Sequence, residues 1–313
     1  MHSAADHTTT FEYCVLGSGS RGNATLVRWH ERSSGSDHDT IRPRCLLIDA
    51  GLSPRETTRR LHHIGLSIDD VEAVLLTHLD ADHLHRGWCK VLVDRNITLH
   101  LHERHRYRAK ANGVSKACIS LFNEHPFSVL PGVTVRSKLL AHDDEGVVAF
   151  RICEDHRAMP GVPGMPTEIK PMSRSLGFAT DVGRITDSFI DFLLGVDSLA
   201  IESNYDRNLQ LSSTRPLMLK RRIMGGRGHL SNDESLEAVL AIRAQRELGS
   251  ITLLHLSQQC NDPKIIHHLY EQRAPELVDR LTITSQHAPS PWQAVLASPR
   301  DTAPTPGVQL RMF

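Results

Sequence analysis

Leu76-Thr77-His78-Leu79-Asp80-Ala81-Asp82-His83 decides the reading of this chain, because it sets four potential metal ligands within six residues directly behind an apolar run. Val74, Leu75 and Leu76 have the composition of a buried strand. The ligand-rich turn therefore falls at the strand's C-terminal end, where rigid scaffolds present reactive groups. Imidazoles and carboxylates spaced along one turn project toward a common point and suit a hard-to-borderline divalent ion. With 20 histidines in the chain, clusters arise by chance. The regular order His-x-Asp-x-Asp-His ahead of Gly87 sets this segment apart from a solvated loop.

The 313 residues are 40% hydrophobic, ample for one large α/β domain or two smaller ones. Lys and Arg number 36 against 36 Asp and Glu, so no global field draws the chain onto nucleic acid or membrane. Contact with a polyanion must come from local patches. Cys14, Cys45, Cys89, Cys118, Cys153 and Cys260 form neither a CxxC pair nor a compact framework and read as free thiols. The N-terminus carries His and Asp before any apolar run, unlike a signal peptide, and no stretch reaches the roughly 18 apolar residues of a membrane span. A reducing, cytoplasmic setting is expected.

Around the motif, Phe11 to Leu16 and Ala24 to Trp29 read as strands of a hairpin joined by Gly17-Ser18-Gly19-Ser20-Arg21-Gly22-Asn23. A β-prone segment follows these glycines, which argues against a dinucleotide fingerprint. Residues 30 to 43 are polar and read as a surface excursion, after which Cys45 to Gly51 resumes a buried strand ending in Asp49. Ser53-Pro54-Arg55-Glu56 supplies an N-cap, a proline at N1 and a capping-box glutamate for a helix to about Ile64. Further strands are predicted at 97–101, 133–139, 147–152, 176–180, 198–202, 251–255 and 281–284. Helices are predicted near 103–111, 187–194, 233–248 and 263–273, the third capped by Ser231 or Asn232. This order fits an α/β sandwich better than a TIM barrel. Residues 1–286 read as one catalytic domain with a proline-rich loop insertion at 155–173, and 287–313 as a poorly ordered tail.

A dinuclear centre needs about seven ligating groups, and the turn supplies at most four. His142 follows Leu139-Leu140-Ala141, Asp181 follows Leu176 to Thr180, and His255 follows Ile251 to Leu254. Each alone is a weak signal, since a lone histidine after a strand is more often a hydrogen-bonded residue than a ligand. Together they gain weight, because strands of one sheet deliver their terminal residues to one edge. The expected assignment puts His78, Asp80 and His142 on one metal and Asp82, His83 and His255 on the other, with Asp181 between them. The turn resembles the His-x-His-x-Asp-His signature of the metallo-β-lactamase fold, with Asp80 where that signature has its second histidine. A carboxylate there adds charge and hardness, which moves preference from Zn²⁺ toward Mn²⁺ or iron.

Glu202 ends the buried run Ala200-Ile201, where a carboxylate without a partner is costly, and His229 precedes a helix start. Such a pair could protonate a leaving alkoxide, which phosphodiester cleavage needs more than lactone opening does. A structural ion pair and a capping-turn residue are the plainer alternatives. The segments Leu16 to Thr25, Leu47 to Gly51, His142-Asp143, Ala179 to Gly183, Ile201 to Asn204, Gly228 to Asn232 and Leu254 to Ser257 resemble successive blocks of the YycJ (WalJ) family, in that family's order.

This resemblance implies a metallo-β-lactamase αββα sandwich, two mixed β-sheets flanked by helices, and kinship with ribonuclease Z. It also implies metal-dependent nuclease activity, including 5′ to 3′ exonuclease action on single-stranded DNA and a setting in DNA repair. Water activated by two divalent metal ions would attack phosphorus, with Asp82, Glu202 and His229 as catalytic residues. A nucleic-acid substrate would engage two basic stretches, Arg104-Arg106-Arg108-Lys110-Lys116 and Lys220-Arg221-Arg222-Arg227, with Tyr107 as a stacking platform. The rivals are a lactonase or glyoxalase II-like thioesterase on the same scaffold, and a metal-binding protein whose catalysis Asp80 impairs.

Overall fold

The computed structural model describes residues 10–30, 43–142, 144–154 and 174–297, so the expected insertion at 155–173 lies outside the described residues. One sheet is built from β1 (Phe11–Gly17), β2 (Ala24–His30), β3 (Pro43–Ile48), β4 (Val71–Leu75), β5 (Thr98–His102) and β6 (Ile119–Phe122). The other contains β7 (Val133–Leu140), β8 (Val147–Glu154), β9 (Ser175–Ala179), β10 (Ser198–Glu202), β11 (Ser250–Leu254) and β12 (Leu281–Ile283). A last strand, β13 (Gln293–Ala294), returns to the first sheet, giving the orders β13-β1-β2-β3-β4-β5-β6 and β12-β11-β10-β9-β8-β7. Both sheets are mixed: β3 to β6 and β9 to β12 pair in parallel, and the remaining neighbours are antiparallel. Within each sheet the parallel strands end on the same side, which is where α/β sheets place their sites.

Side-chain alternation sorts each strand between two cores. In β3, Cys45 and Leu47 face α1 (Pro54–His63), α2 (Trp88–Asp94) and α3 (Arg106–Ala111), joining Leu61, Trp88, Leu92 and Ala109. Leu46 and Ile48 point the other way, into a core shared with Val148, Phe150 and Phe178 of the second sheet. On that sheet's far side, Leu199, Ile201 and Leu253 pack on α4 (Asp187–Leu193), α7 (Asn232–Arg243) and α8 (Pro263–Arg273) through Phe189, Leu236, Val239 and Ile266. The layers run helix, sheet, sheet, helix, as expected. Strands buried on both faces read as unbroken apolar runs, which is why they were legible.

Several elements escaped prediction. β6 is a four-residue edge strand, and α2 spans seven residues, too short to show a period. α5 (Arg207–Ser212) and α6 (Leu217–Met224) bury one residue each, Gln210 and Ile223, and at six and eight residues are too short to show a period. The expected tail from 287 is corrected: residues 287–297 belong to the fold, with Ser290 and Val295 donating backbone bonds to Val15 and Phe11 at 2.9 and 2.8 Å. Pro, Ser and Ala suggested a linker there, but this strand is held by the open backbone groups of β1, not by its own composition.

Caps follow the sequence with one exception. Ser231 and Glu234 complete a capping box on α7. Ser53 caps α1, but Glu56 turns away to bond Arg59 and Arg60. Among the described residues no helix is long and apolar enough to cross a membrane, and all six cysteines are free thiols.

Candidate metal centre

The predicted metal ligands come from four chain segments, and all but Asp80 converge. His78, His142 and Asp181 offer ligand atoms all within 4.8 Å of one another, and so do Asp82, His83 and His255. A third such group joins Asp181, Glu202, His229 and His255. The imidazole of His78 lies 4.0 Å from that of His83 and 5.3 Å from that of His142, centroid to centroid, and His83 lies 5.8 Å from His255. Of the four described non-glycine residues with left-handed backbone, three sit here: Asp49 (φ 59°), Asp181 (φ 53°) and His255 (φ 56°). Each closely follows the last residue of β3, β9 or β11, and this reversal turns its side chain inward over the sheet edge. Such a conformation costs on the order of 1 kcal/mol and persists where the surroundings over-determine it.

Asp49 organises the inner histidines, a role the sequence reading did not give it. Its carboxylate accepts from the Thr77 backbone N–H at 2.8 Å and from the Thr77 hydroxyl at 2.8 and 2.9 Å, and lies 2.7 Å from His83 Nδ1. The single Thr77 hydroxyl proton goes to Asp49, so Thr77 Oγ1 accepts from His78 Nδ1, 3.0 Å away. His142 Nδ1 lies 3.1 Å from the Gly228 carbonyl oxygen, which can only accept. In all three rings Nδ1 carries the anchoring proton and Nε2 is turned to the cluster, the arrangement in which a ligating imidazole is held by its other nitrogen. The glycine-rich hairpin turn braces this wall: Asn23 donates its backbone N–H to the Asp82 carbonyl at 2.7 Å, and Ser18 Oγ accepts from the His255 N–H at 2.7 Å. A Cβ on Gly51 would fall onto the Asp82 carbonyl oxygen, so only glycine allows this approach.

Glu202 has the partner predicted for it. Its Oε1 is 2.7 Å from His229 Nδ1 and 3.2 Å from His255 Nδ1, while Oε2 accepts from the Val182 and Leu230 backbone N–H groups at 2.8 and 3.2 Å. Glu202 is fully buried and His229 is 21% exposed. Of the two, His229 alone reaches the surface.

Charge in the cluster is arranged for cations. Burial alone would raise the Asp181 carboxyl, yet the charges of His255 and His83 hold it well below its ordinary value. The same opposition lowers Asp82 and Glu202. Burial would push His255 down, but Asp181, Asp82 and Glu202 lift it to about 10, and Asp181 and Asp49 lift His83 well above its ordinary value. His78, where burial dominates and His83 adds repulsion, is held well below its ordinary value and is neutral. His83 Nε2 lies 3.0 Å from Asp181 Oδ2. The buried His255 Nε2 has no hydrogen-bond partner and lies 3.6 Å from Asp82 Oδ2. A buried nitrogen left bare beside a carboxylate fits a ligand better than a packing residue.

Asp80 is not gathered with the others. Its Oδ1 is 2.5 Å from Arg108 Nη2 on α3, and its Oδ2 is 3.7 Å from His78 Nε2. α3 therefore borders the cluster, and α6 does so from another side through Gly228 and His229. Tyr107 is 72% exposed, with the Arg106 guanidinium 4.7 Å from its ring centre.

This fold, with strand-end histidines and carboxylates about a metal-binding cluster, defines a metallo-β-lactamase-type hydrolase. Residues 44–250 match the Beta-lactamase superfamily domain, and the chain belongs to that family. It is 26% identical over 263 residues to Exodeoxyribonuclease WalJ of Streptococcus pneumoniae, covering 82% of this chain and 86% of the relative. It is 27% identical over 249 residues to Exodeoxyribonuclease YycJ of Bacillus anthracis, covering 80% and 83%. These matches bear out the resemblance to the YycJ (WalJ) family and make the chain a metallo-hydrolase. Among solved structures it is similar to the metallo-β-lactamase fold protein YhfI of Bacillus subtilis, with a TM-score of 0.60, 14% identity, and 91% and 99% of the two chains covered. It is also similar to Zn²⁺-bound PqqB of Methylobacterium extorquens, with a TM-score of 0.56, 17% identity, and 89% and 99% covered. At these identities the structures speak to the fold alone.

Proposed function

We propose that the protein is an exonuclease on single-stranded DNA that uses two divalent ions, Zn²⁺ or Mn²⁺ with iron also admissible. The observation that carries this reading is the approach of Asp181, a member of the His78–His142 group, to within 3.0 Å of His83 Nε2 in the second group, with the Glu202–His229 pair at their edge. One ion would be held by His78, His142 and Asp181 and the other by Asp82, His83 and His255. When bound, such ions supply an acidified water and Lewis-acid stabilisation of the phosphoryl oxygens. The chain's own residues do the rest. Asp49 and Thr77 keep the inner rings in one tautomer, and Asp181 links the two halves of the cluster. Glu202 fixes His229 through Nδ1, leaving Nε2 to give a proton to the departing sugar oxygen. Asp82, partly exposed beside His83 and His255, faces the side from which substrate enters.

The relatives named exodeoxyribonucleases support a DNA substrate, and the two basic segments beside the cluster support a polyanion over a small ester. The free thiols fit a reducing cytoplasm. The test incubates end-labelled single-stranded DNA, a nitrophenyl phosphodiester and a thioester with protein plus Mn²⁺ or Zn²⁺. Digestion of the DNA from one end is expected, blocked by EDTA and lowered at least about 10³-fold by His83→Ala. Thioester turnover without DNA cleavage would replace this reading with a small-molecule hydrolase.

A further inference from the structure

The aspartate that departs from the family signature brings its own counter-charge. Asp80 Oδ1 meets Arg108 Nη2 at 2.5 Å, and Oδ2 points back toward His78, 3.7 Å from Nε2. Arg108 also faces Glu145, with Nη1 3.7 Å from Oε2, and all three side chains are about one-third exposed. A histidine at position 80 would be neutral. An aspartate adds one negative charge to a cluster that already holds Asp82, Asp181 and Glu202, and Arg108, shared with Glu145, offsets part of that added charge.

Resting on the reading of the cluster as a metal centre, we propose that Arg108 is a positioning residue for the first ion. It holds one oxygen of Asp80 away from the ion and offsets its charge, so the Asp80–Arg108 pair together sets how tightly that ion binds and which metal is preferred. The pair stands in for the signature's second histidine as a unit. Position 108 lies on α3, one residue from the exposed Tyr107 and 28 residues beyond Asp80, and nothing in the local pattern of the turn announces it.

The consequence has a sign. Removing the guanidinium while keeping Asp80 leaves its carboxylate uncompensated beside the site, which strengthens attraction for a divalent cation. Removing the carboxylate while keeping Arg108 leaves a cation facing the ion, which weakens binding. A surface ion pair without influence on the metal would leave affinity within about fivefold in both variants.

Metal affinities of the chelator-stripped full chain, measured by competition with a chromophoric chelator for Mn²⁺ and Zn²⁺ separately, test this without reference to activity. R108Q is expected to tighten Mn²⁺ binding about tenfold, D80N to weaken it about tenfold, and D80N/R108Q to return toward the parent value. R108K, which keeps the charge, should stay near the parent. The visible spectrum of the Co²⁺-loaded chain should change in R108Q as Asp80 turns to the ion, and stay unchanged in R108K. If R108Q and D80N bind within about fivefold of the parent and their effects add, the pair does not tune the site and the proposal falls. If the parent chain itself takes up no metal, the metal-centre reading falls first and takes this inference with it. Thermal melts of each stripped variant separate lost affinity from lost folding.

Discussion

Asp80 and His83 lie three residues apart in one turn and meet opposite fates. His83 is fully buried, with Nδ1 on Asp49 and Nε2 toward Asp181, and its neighbours leave it no second orientation. Asp80 is one-third exposed and divides its oxygens between an arginine on a surface helix and the edge of His78. The inner ligands are therefore set by strand-end backbone and buried carboxylates, where any change opens a cavity or strands a charge. The outer position rests on a solvent-facing ion pair that two substitutions can exchange. A departure from the family signature is found where the fold exerts the least hold.

The comparison is tested hardest at His229, which belongs to the rim by exposure and to the cage through Glu202. His229→Ala should lower DNA digestion by about 10²- to 10⁴-fold while leaving bound metal unchanged. The loss should shrink sharply on a nitrophenyl phosphodiester, whose leaving group departs without a proton. Equal losses on both substrates would remove His229 as the proton donor. Next in size, Asp49→Asn replaces the carboxylate behind His83 and should weaken metal binding by about 10- to 100-fold, measured by competition with a chelator. Unchanged affinity would mean that burial alone positions His83, erasing the distinction between cage and rim. Asp80→His, at the rim, should leave total affinity closer to the parent and move the ratio of Zn²⁺ to Mn²⁺ binding toward Zn²⁺. A constant ratio would show that position 80 does not touch the ion.

What the sequence disclosed follows the same line between inside and outside. Strands buried on both faces write themselves as apolar runs, so β3, β4, β9, β10 and β11 and the polar residues at their ends were legible without coordinates. That His142, Asp181 and His255 share one edge could be inferred because strands running the same way in one sheet end together, but the turn is brought to them by β4 of the other sheet, which no sequence spacing announces. Asp49 was visible as an acid closing an apolar run, the placement that marked Asp181, but its partner Thr77 is 28 residues away and no spacing links them. Arg108 was noticed only as one cation in a basic stretch; its contact with Asp80 is a tertiary fact. α5 and α6 were missed because helices of six and eight residues are too short to show a period.

The smallest expected effect concerns the support of the hairpin turn, behind the residues that brace the cluster. Arg60 is nearly buried and donates to the Leu16 carbonyl at 2.6 Å and the Gln286 carbonyl at 3.0 Å, tying α1 to the turn that carries Ser18 and Asn23. Glu56 holds Arg60 from the solvent side at 2.6 Å. The Glu56 carboxyl is lowered from 4.5 to about 2, first by its hydrogen bond from Arg59 and then by Arg60. Arg59 is 63% exposed, so its share is screened by water and the structural consequence runs through Arg60. A depressed carboxyl contributes stability that is complete above pH 4.5 and fades as pH falls through that value toward 2. Glu56→Gln should therefore lower the melting temperature by only about 1–4 °C near neutrality, corresponding to at most about 1 kcal/mol, and the difference from the parent should narrow below pH 4.5 and close as pH falls through about 2. A gap that stays constant from neutrality down to about pH 2 would mean the side chain contributes through packing of its stem, and the link from α1 to the turn would then rest on Arg60 and its two carbonyl partners without help from charge.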